Sequence, residues 1–314
     1  MLVSILIPCF NAERWVAQAI ESALAQTWPE KEVIVVDDGS QDASLDIIKS
    51  FSNRIRWETG PNRGGNAARN RLLELAGGEW LQYLDADDYL LPLKVERQAN
   101  SLSDYPDCDV VYSPVYCASY SDGGVQQEIT AIPEPRDPWI LLARWWLPQT
   151  SGPLWRRQTL IDVGGWKPDQ PCCQEHELYL RLLRSGAQFY YFGECHAVYR
   201  YWPYARTVSK GNPAEVRRRR LEVNEQMEQF LRSRGELTPS RLQAINQGRF
   251  EIARSAWIED RTEAKQIVRA IQQRQPKFSP EPPAARSYYR WIYRVLGFIA
   301  AERLASCKRK LASI

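Results

Sequence analysis

The first 85 residues alternate short β-branched runs with amphipathic helical stretches, and this alternation most limits the folds open to the chain. Residues 3–7, 32–36, 55–58 and 78–84 read as strands, the first two continuously apolar, as strands buried on both faces are. Helical patterns open at Asn11-Ala12-Glu13, with Val16, Ile20, Ala23 and Leu24 on one stripe, and again at Asp42 and Ala67. Units at this spacing predict an α/β fold with a mostly parallel sheet flanked by helices. Ligands in such sheets bind beyond the carboxyl ends of the strands. Pro8 is expected to end the first strand. Asp37-Asp38-Gly39-Ser40 follows the second, and Asp85-Ala86-Asp87-Asp88 the fourth. Three strand ends thus bring polar groups to one rim.

Beyond Tyr89 the texture changes. Helices are expected at 91–102, 139–146 and 174–185, strands at 109–112 and 189–192, and a loop or hairpin over 113–138. From Pro213 the chain turns helical, with a helix pair around Glu259-Asp260-Arg261 and a last helix over 287–311. The expected division is therefore 1–102, 103–212 and 213–314. Charge follows the same boundary. Residues 213–314 hold 21 Lys and Arg against 11 Asp and Glu, and the first 212 hold 20 against 27. An acidic N-terminal part argues against a nucleic-acid grip there. Seven scattered cysteines without framework spacing suit reduced thiols in a cytosol. No charged and then apolar leader opens the sequence, and no run approaches 18 uncharged apolar residues. A cytoplasmic protein is expected.

The acidic tetrapeptide at 85–88 carries the chemistry. Clustered carboxylates at a strand end repel one another unless a cation is present. Their hard oxygens suit Mg²⁺ or Mn²⁺ where phosphates complete the shell. The same residues also suit an Asp-rich turn. Arg69 lies one turn into a helix that follows the loop Asn62-Arg63-Gly64-Gly65-Asn66. It could join a diphosphate site or pair at the surface with Glu74 or Glu79. Glu175 and Glu177, two apart at a helix start, do not share a face. One can enter a cleft as general base while the other meets solvent, and both also answer the helix dipole. Cys172, Cys173, His176, Cys195 and His196 match zinc-ligand spacing poorly. Tryptophans and tyrosines between 139 and 204 could stack on sugar faces or pack as core. Arg217-Arg218-Arg219-Arg220 and the last helix, which holds Trp291, Val295, Leu296 and six basic residues, could touch anionic lipid or simply be solvated faces. No Gly-x-Gly-x-x-Gly follows the first strand and no Gly-Lys-Ser/Thr loop occurs, so dinucleotide and P-loop readings fail.

Four segments together resemble family-2 glycosyltransferases of the GT-A fold. They are Val3-Ser4-Ile5-Leu6-Ile7-Pro8-Cys9-Phe10-Asn11-Ala12-Glu13, Val35-Val36-Asp37-Asp38-Gly39-Ser40, Asn62-x-Gly64 with Ala68-Arg69-Asn70, and Gly78 through Asp88. The likeness covers about residues 1–210 and leaves the basic tail unexplained. It implies a GT-A (Rossmann-like) fold with an acceptor-side subdomain, followed here by an α-helical C-terminal extension. It also implies inverting transfer from a nucleotide-diphosphate sugar to a saccharide, lipid-linked or protein acceptor. Asp38 matches the base-binding residue, Arg69 a nucleotide contact, and Asp85 and Asp87 the DxD pair, with Asp87 the direct ligand of Mn²⁺ or Mg²⁺. Pro8, Asn11, Glu13 and Ala86 fall in the nucleotide-sugar site, and Glu175 at the catalytic base. Here Gln174-Glu175 stands where the family usually has Glu-Asp, and Tyr201-Trp202 rather than His follows Tyr199-Arg200. Two rival readings remain: a nucleotide-sugar-binding protein without turnover, and a sugar nucleotidyltransferase.

Overall fold

The computed structural model describes residues 1–121, 124–201 and 211–311. The chain forms two compact units, one of Met1–Pro138 with Trp146–Val208, the other of Trp139–Trp145 with Ser209–Ile314.

In the first unit, β1 (Val3–Cys9), β2 (Lys31–Asp37), β3 (Arg56–Thr59) and β4 (Trp80–Tyr83) are joined by α1 (Val16–Leu24), α2 (Ser44–Ser50) and α3 (Gly65–Leu75). β1 pairs in parallel with both β2 and β4, and β2 with β3. Four strands therefore end at one edge. β5 (Tyr89–Leu90), α4 (Lys94–Ser101), β6 (Val110–Tyr112), β7 (Val115–Ser121) and β8 (Gly124–Thr130) follow. After α5 (Pro138–Ala143) come β9 (Leu154–Arg156), α6 (Arg157–Asp162), α7 (Gln174–Ser185), β10 (Phe189–Tyr191) and β11 (Ala197–Tyr201). The main sheet has the order β10-β6-β9-β4-β1-β2-β3, with β9 antiparallel to both its neighbours. A second sheet, β5-β11-β7-β8, contains the hairpin foreseen within 113–138.

Pro8 does not end β1, which runs on to Cys9. Leu6 accepts from Leu84 on the β4 side and Cys9 from Asp38 on the β2 side. By that alternation Pro8 faces the β4 side after β4 has ended, where no ladder partner needs its missing N–H. Likewise the first helix starts at Val16 rather than Asn11, whose φ of 48° is left-handed. Gly78 lets the chain pass close to β1, because a Cβ there would lie 2.7 Å from the Ser4 amide nitrogen.

The second unit packs α8 (Pro213–Ser233), α9 (Pro239–Glu259), α10 (Arg261–Arg274) and α11 (Ser287–Leu311) with most of α5. Asn212, Thr238 and Asp260 each cap the following helix, with Pro first in α8 and α9. Phe250, Trp257, Ile267, Ile271, Tyr289 and Phe298 build its core. The basic run at 217–220 is absorbed here. Arg217 is buried against Glu259 (2.7 Å) and Glu263 (3.1 Å), and Arg218 and Arg219 pair with Glu215 and Glu222. Arg220 lies 4.6 Å over the Trp145 ring.

A buried polar network braces the main sheet. Lys94 donates to Gln82 and Gln98, Gln82 donates to the Ser151 carbonyl (3.1 Å), and Gln98 to the Gly152 carbonyl (3.1 Å). It thereby fixes the turn at 148–152. Burial holds the Lys94 ammonium well below the usual lysine range. Between that lowered value and the ordinary 10.5 the unfolded chain binds a proton that the folded chain does not, so stability rises with pH across the interval. Urea unfolding of wild type should show this gain from neutral pH towards pH 10. Lys94→Met should show a flatter dependence; an unchanged slope contradicts the assignment.

Candidate active site

The rim at the ends of β1, β2 and β4 is stitched by side chains from neighbouring loops. Asn11 accepts from the Gln41 amide (2.8 Å) and its own amide donates to Ser40 (2.9 Å). Glu13 accepts from the Ala43 amide (2.9 Å). The structure thus sets both residues on the β2–α2 turn. Asp37 accepts from the Thr59 hydroxyl (2.7 Å), while the Asp38 oxygens accept from the Arg63 and Gly64 amides, each at 2.8 Å. Asp38 therefore holds the loop that leads into α3. Gly39 is required where these loops cross, since its φ is 75° and a Cβ would stand 2.8 Å from the Asn62 nitrogen.

Arg69 is not a surface residue. Its buried guanidinium bonds Asp85 (2.8 Å), Gln174 (2.9 Å) and Asn66 (3.2 Å) and lies 4.9 Å from the Trp166 ring centroid. Neither Glu74 nor Glu79 is its partner; Glu74 pairs with Arg71 and Glu79 with Arg156. Burial opposes the Arg69 charge, but Asp85 and then Glu175 outweigh it and raise its affinity for the proton. Asn66, expected in a flexible loop, is buried on α3 and donates to the Lys167 carbonyl (2.7 Å).

Residues 85–88 do form a turn, the Asp88 amide donating to the Asp85 carbonyl (2.9 Å). The turn divides the three carboxylates. Asp85 faces Arg69. Asp88 is buried and accepts from the Arg200 amide (2.8 Å). Arg200 also donates to the Asp87 carbonyl (2.6 Å) and stacks between Trp15 and Tyr89, at 4.6 and 4.7 Å. Asp87 is half-buried, and Ala86 between them is buried. Burial first, and the Asp85 charge second, push the Asp87 carboxyl up to about 6.

Glu175 lies in the first turn of α7, and its carboxylate accepts from the buried Thr150 hydroxyl at 2.5 Å. Glu177, a candidate for the solvent side, is instead buried and paired with Arg181 (2.8 Å). Gln174 and Glu175 thus bring α7 to the Arg69–Asp85 pair. Arg200, Thr150, Gln174 and Asn66 were given no role by sequence reasoning. Of these, Arg200 and Gln174 carried a motif signal, in the pairs Tyr199-Arg200 and Gln174-Glu175. Trp202 and Tyr204 lie outside the described residues.

Asp85 and Asp87 supply hard oxygens at one turn, and Asp88 is committed elsewhere. Among the described residues no group of three His, Cys, Asp or Glu could hold a metal alone. Mg²⁺ and Mn²⁺ need no such cage, since they retain water and take phosphate oxygens. The raised Asp87 carboxyl is the kind of group a cation relieves. These residues fit an ion shared with a diphosphate.

One consequence is measurable without substrate. The folded chain binds the Asp87 proton more tightly than the unfolded chain, so stability falls as pH rises from about 4 through about 6. In chelated buffer, Asp87→Asn should match wild type below pH 4 and exceed it above pH 6, by up to about 3 kcal/mol. Mn²⁺ should raise the wild-type melting midpoint more than the variant's. Equal responses in both arms contradict the assignment.

Comparison with known proteins agrees with this geometry. Residues 4–158 match the model of glycosyl transferase family 2. An uncharacterized glycosyltransferase of Rickettsia typhi is 40% identical over 116 residues, 37% of this chain and 36% of that protein. The matched stretch is thus about a third of that relative's length. The structure of S. aureus TarS 1-349 in complex with UDP-GlcNAc superposes with a TM-score of 0.69 at 16% identity, covering 99% of this chain and 92% of that one. The mannosyltransferase PcManGT from Pyrobaculum calidifontis, in complex with GDP-Man and Mn²⁺, gives 0.52 at 15% identity, covering 98% and 86%. At such identities these two likenesses are of fold alone. Family model and matching motifs converge on the same stretch: residues 4–158 carry a glycosyl transferase family 2 domain.

Proposed function

We propose that this protein is a metal-dependent inverting glycosyltransferase that moves a sugar from a nucleotide-diphosphate sugar to an acceptor hydroxyl. The observation that carries the reading is the contact chain Asp85–Arg69–Gln174, with Glu175 beside it on α7 and held by Thr150. It links an acidic, diphosphate-suited turn to a carboxylate suited to act as base. TarS was solved with UDP-GlcNAc, and PcManGT with GDP-Man and Mn²⁺, which supports a nucleotide-sugar donor here.

In this reading residues 1–102 hold the donor and 103–212 the acceptor. Asp38 receives the base, while Pro8, Asn11, Glu13 and Ala86 line the nucleotide-sugar site. Mn²⁺ or Mg²⁺ bound through Asp87 and Asp85 would offset diphosphate charge. Arg69, buried and always cationic, stabilises the charge that builds on the departing diphosphate. Glu175 removes the acceptor hydroxyl proton as the oxygen attacks the anomeric carbon opposite the leaving group. The new C–O bond forms as the bond to diphosphate breaks, and configuration inverts. The acceptor is a saccharide, a lipid-linked sugar or a protein. The setting is cytoplasmic, with peripheral contact at the inner face of a membrane through the last helix.

Thr150 holds one Glu175 oxygen and leaves the other for the proton. With UDP- and GDP-sugars, Mn²⁺ and a panel of acceptors, Glu175→Gln should abolish transfer while nucleotide binding persists. Thr150→Val should lower kcat by about 10- to 100-fold, as loss of a positioned base does, with the donor KM unchanged. Thr150→Ser should restore kcat. Asp87→Ala should collapse transfer, and turnover equal to wild type removes the metal role. Pyrophosphate release from a nucleoside triphosphate and a sugar phosphate selects nucleotidyl transfer instead. Calorimetric binding without turnover selects a binding protein.

A further inference from the structure

Helix α11 is left with a face that glycosyl transfer does not use. Gly297, with φ 77° and ψ 179°, breaks it into two segments. On the inner side Tyr289, Phe298, Ala301 and Ala305 join the core of the helical unit. Outside that core, Trp291, Val295 and Leu296 before the break are 65%, 57% and 61% exposed, and Ile299 and Leu304 after it are 41% and 51% exposed. Trp291 and Val295 stand four apart and share a face, bordered by Arg290 and Arg294. Large apolar side chains exposed together on one element mark an interaction surface.

Charge decides which surface it meets. Arg286, Arg290, Arg294 and Arg303 are all exposed. The sole acid between residues 282 and 311 is Glu302. It is fully buried, paired with Arg254 (2.5 Å) and bonded by Tyr289 (2.8 Å). Among its described residues the exposed side chains of α11 are therefore apolar or cationic, with no exposed carboxylate. The 217–220 arginines differ, since Arg217, Arg218 and Arg219 are paired with glutamates within the unit. No helix among the described residues is long and apolar enough to cross a membrane. A tryptophan, branched aliphatics and flanking arginines without acids match the headgroup zone of an anionic bilayer, where an amphipathic helix lies in the plane.

We propose that the exposed side chains of α11, Trp291, Val295 and Leu296 before the break together with Arg290, Arg294 and Arg303, dock onto an anionic lipid bilayer. This rests on the membrane contact in the function proposed above, and adds its face and its lipid charge. Trp291 and its aliphatic neighbours enter between headgroups while the arginines remain at the phosphate level.

The full chain is sedimented with vesicles of phosphatidylcholine alone or with about a third phosphatidylglycerol. Each basic side chain at an anionic surface contributes about fivefold, so wild type should prefer the anionic vesicles by about a hundredfold or more and lose that preference in high salt. The variant W291S/V295S/L296S should lose binding to both vesicles. R290Q/R294Q/R303Q should lose only the anionic preference. All six positions are exposed, so melting midpoint and transfer to a soluble acceptor should match wild type; that readout keeps this test separate from the glycosyltransferase reading. No vesicle binding by wild type overturns membrane contact altogether. Serine-variant binding equal to wild type overturns this face while leaving peripheral contact standing. A wild-type dimer that the serine variant abolishes, without vesicle binding, shows that a second copy covers the face and overturns the lipid assignment.

Discussion

The buried guanidinium of Arg69 is the constraint around which the rest of the site is built. A buried cation is tolerated only when its charge is paired. Asp85 supplies that charge, and Gln174 and Asn66 supply acceptors for the terminal nitrogens, while the buried Nε makes no hydrogen bond. Those partners come from the turn after β4, the start of α7 and α3 itself. Pairing one side chain thus draws three elements to one place. Asn66 extends the link by donating to the Lys167 and Gln170 carbonyls in the loop that leads to α7.

The acidic turn shows a division of labour that chemistry alone does not assign. Three carboxylates within four residues cannot all be ionised and buried without large cost. One is neutralised by Arg69. One, Asp88, turns inward and accepts from the backbone amide of Arg200. The third, Asp87, keeps a carboxyl with no ion pair of its own among the described residues and is left poorly disposed to ionise. Burial first, and the Asp85 charge second, leave it a carboxyl that a bound cation would relieve. Arg200 contributes by fixing the turn from the second sheet, through Asp87 and Asp88 together.

The helical unit follows a different logic. Its three capped helices begin at Asn, Thr and Asp, and its glutamates pair with its arginines, Glu228 and Glu302 from buried positions. Internal pairing consumes the acids and much of the base. What remains among the described residues of α11 is a surplus of exposed arginines, and it lies beside apolar side chains that the core did not need.

The strand–helix order and the parallel sheet were legible because hydrophobic periodicity is local: buried parallel strands are continuous apolar runs, and α7 carries its stripe within twelve residues. The acidic turn, Arg69 and Glu175 were legible because motif spacing along the chain reflects strand ends meeting at one rim. Short elements were not. β9 has three residues and β5 two, too few for any period to show, and both exist through pairing with distant strands. Nor could sequence assign partners. Asp88 and Arg200 lie 112 residues apart, Asn66 and Lys167 101. Sequence by itself determined the architecture and the residue types at its rim, since both follow from nearest-neighbour chemistry. Tertiary structure alone decided which carboxylate is spent, which is free and which arginine is buried, because burial and pairing are properties of the packed chain.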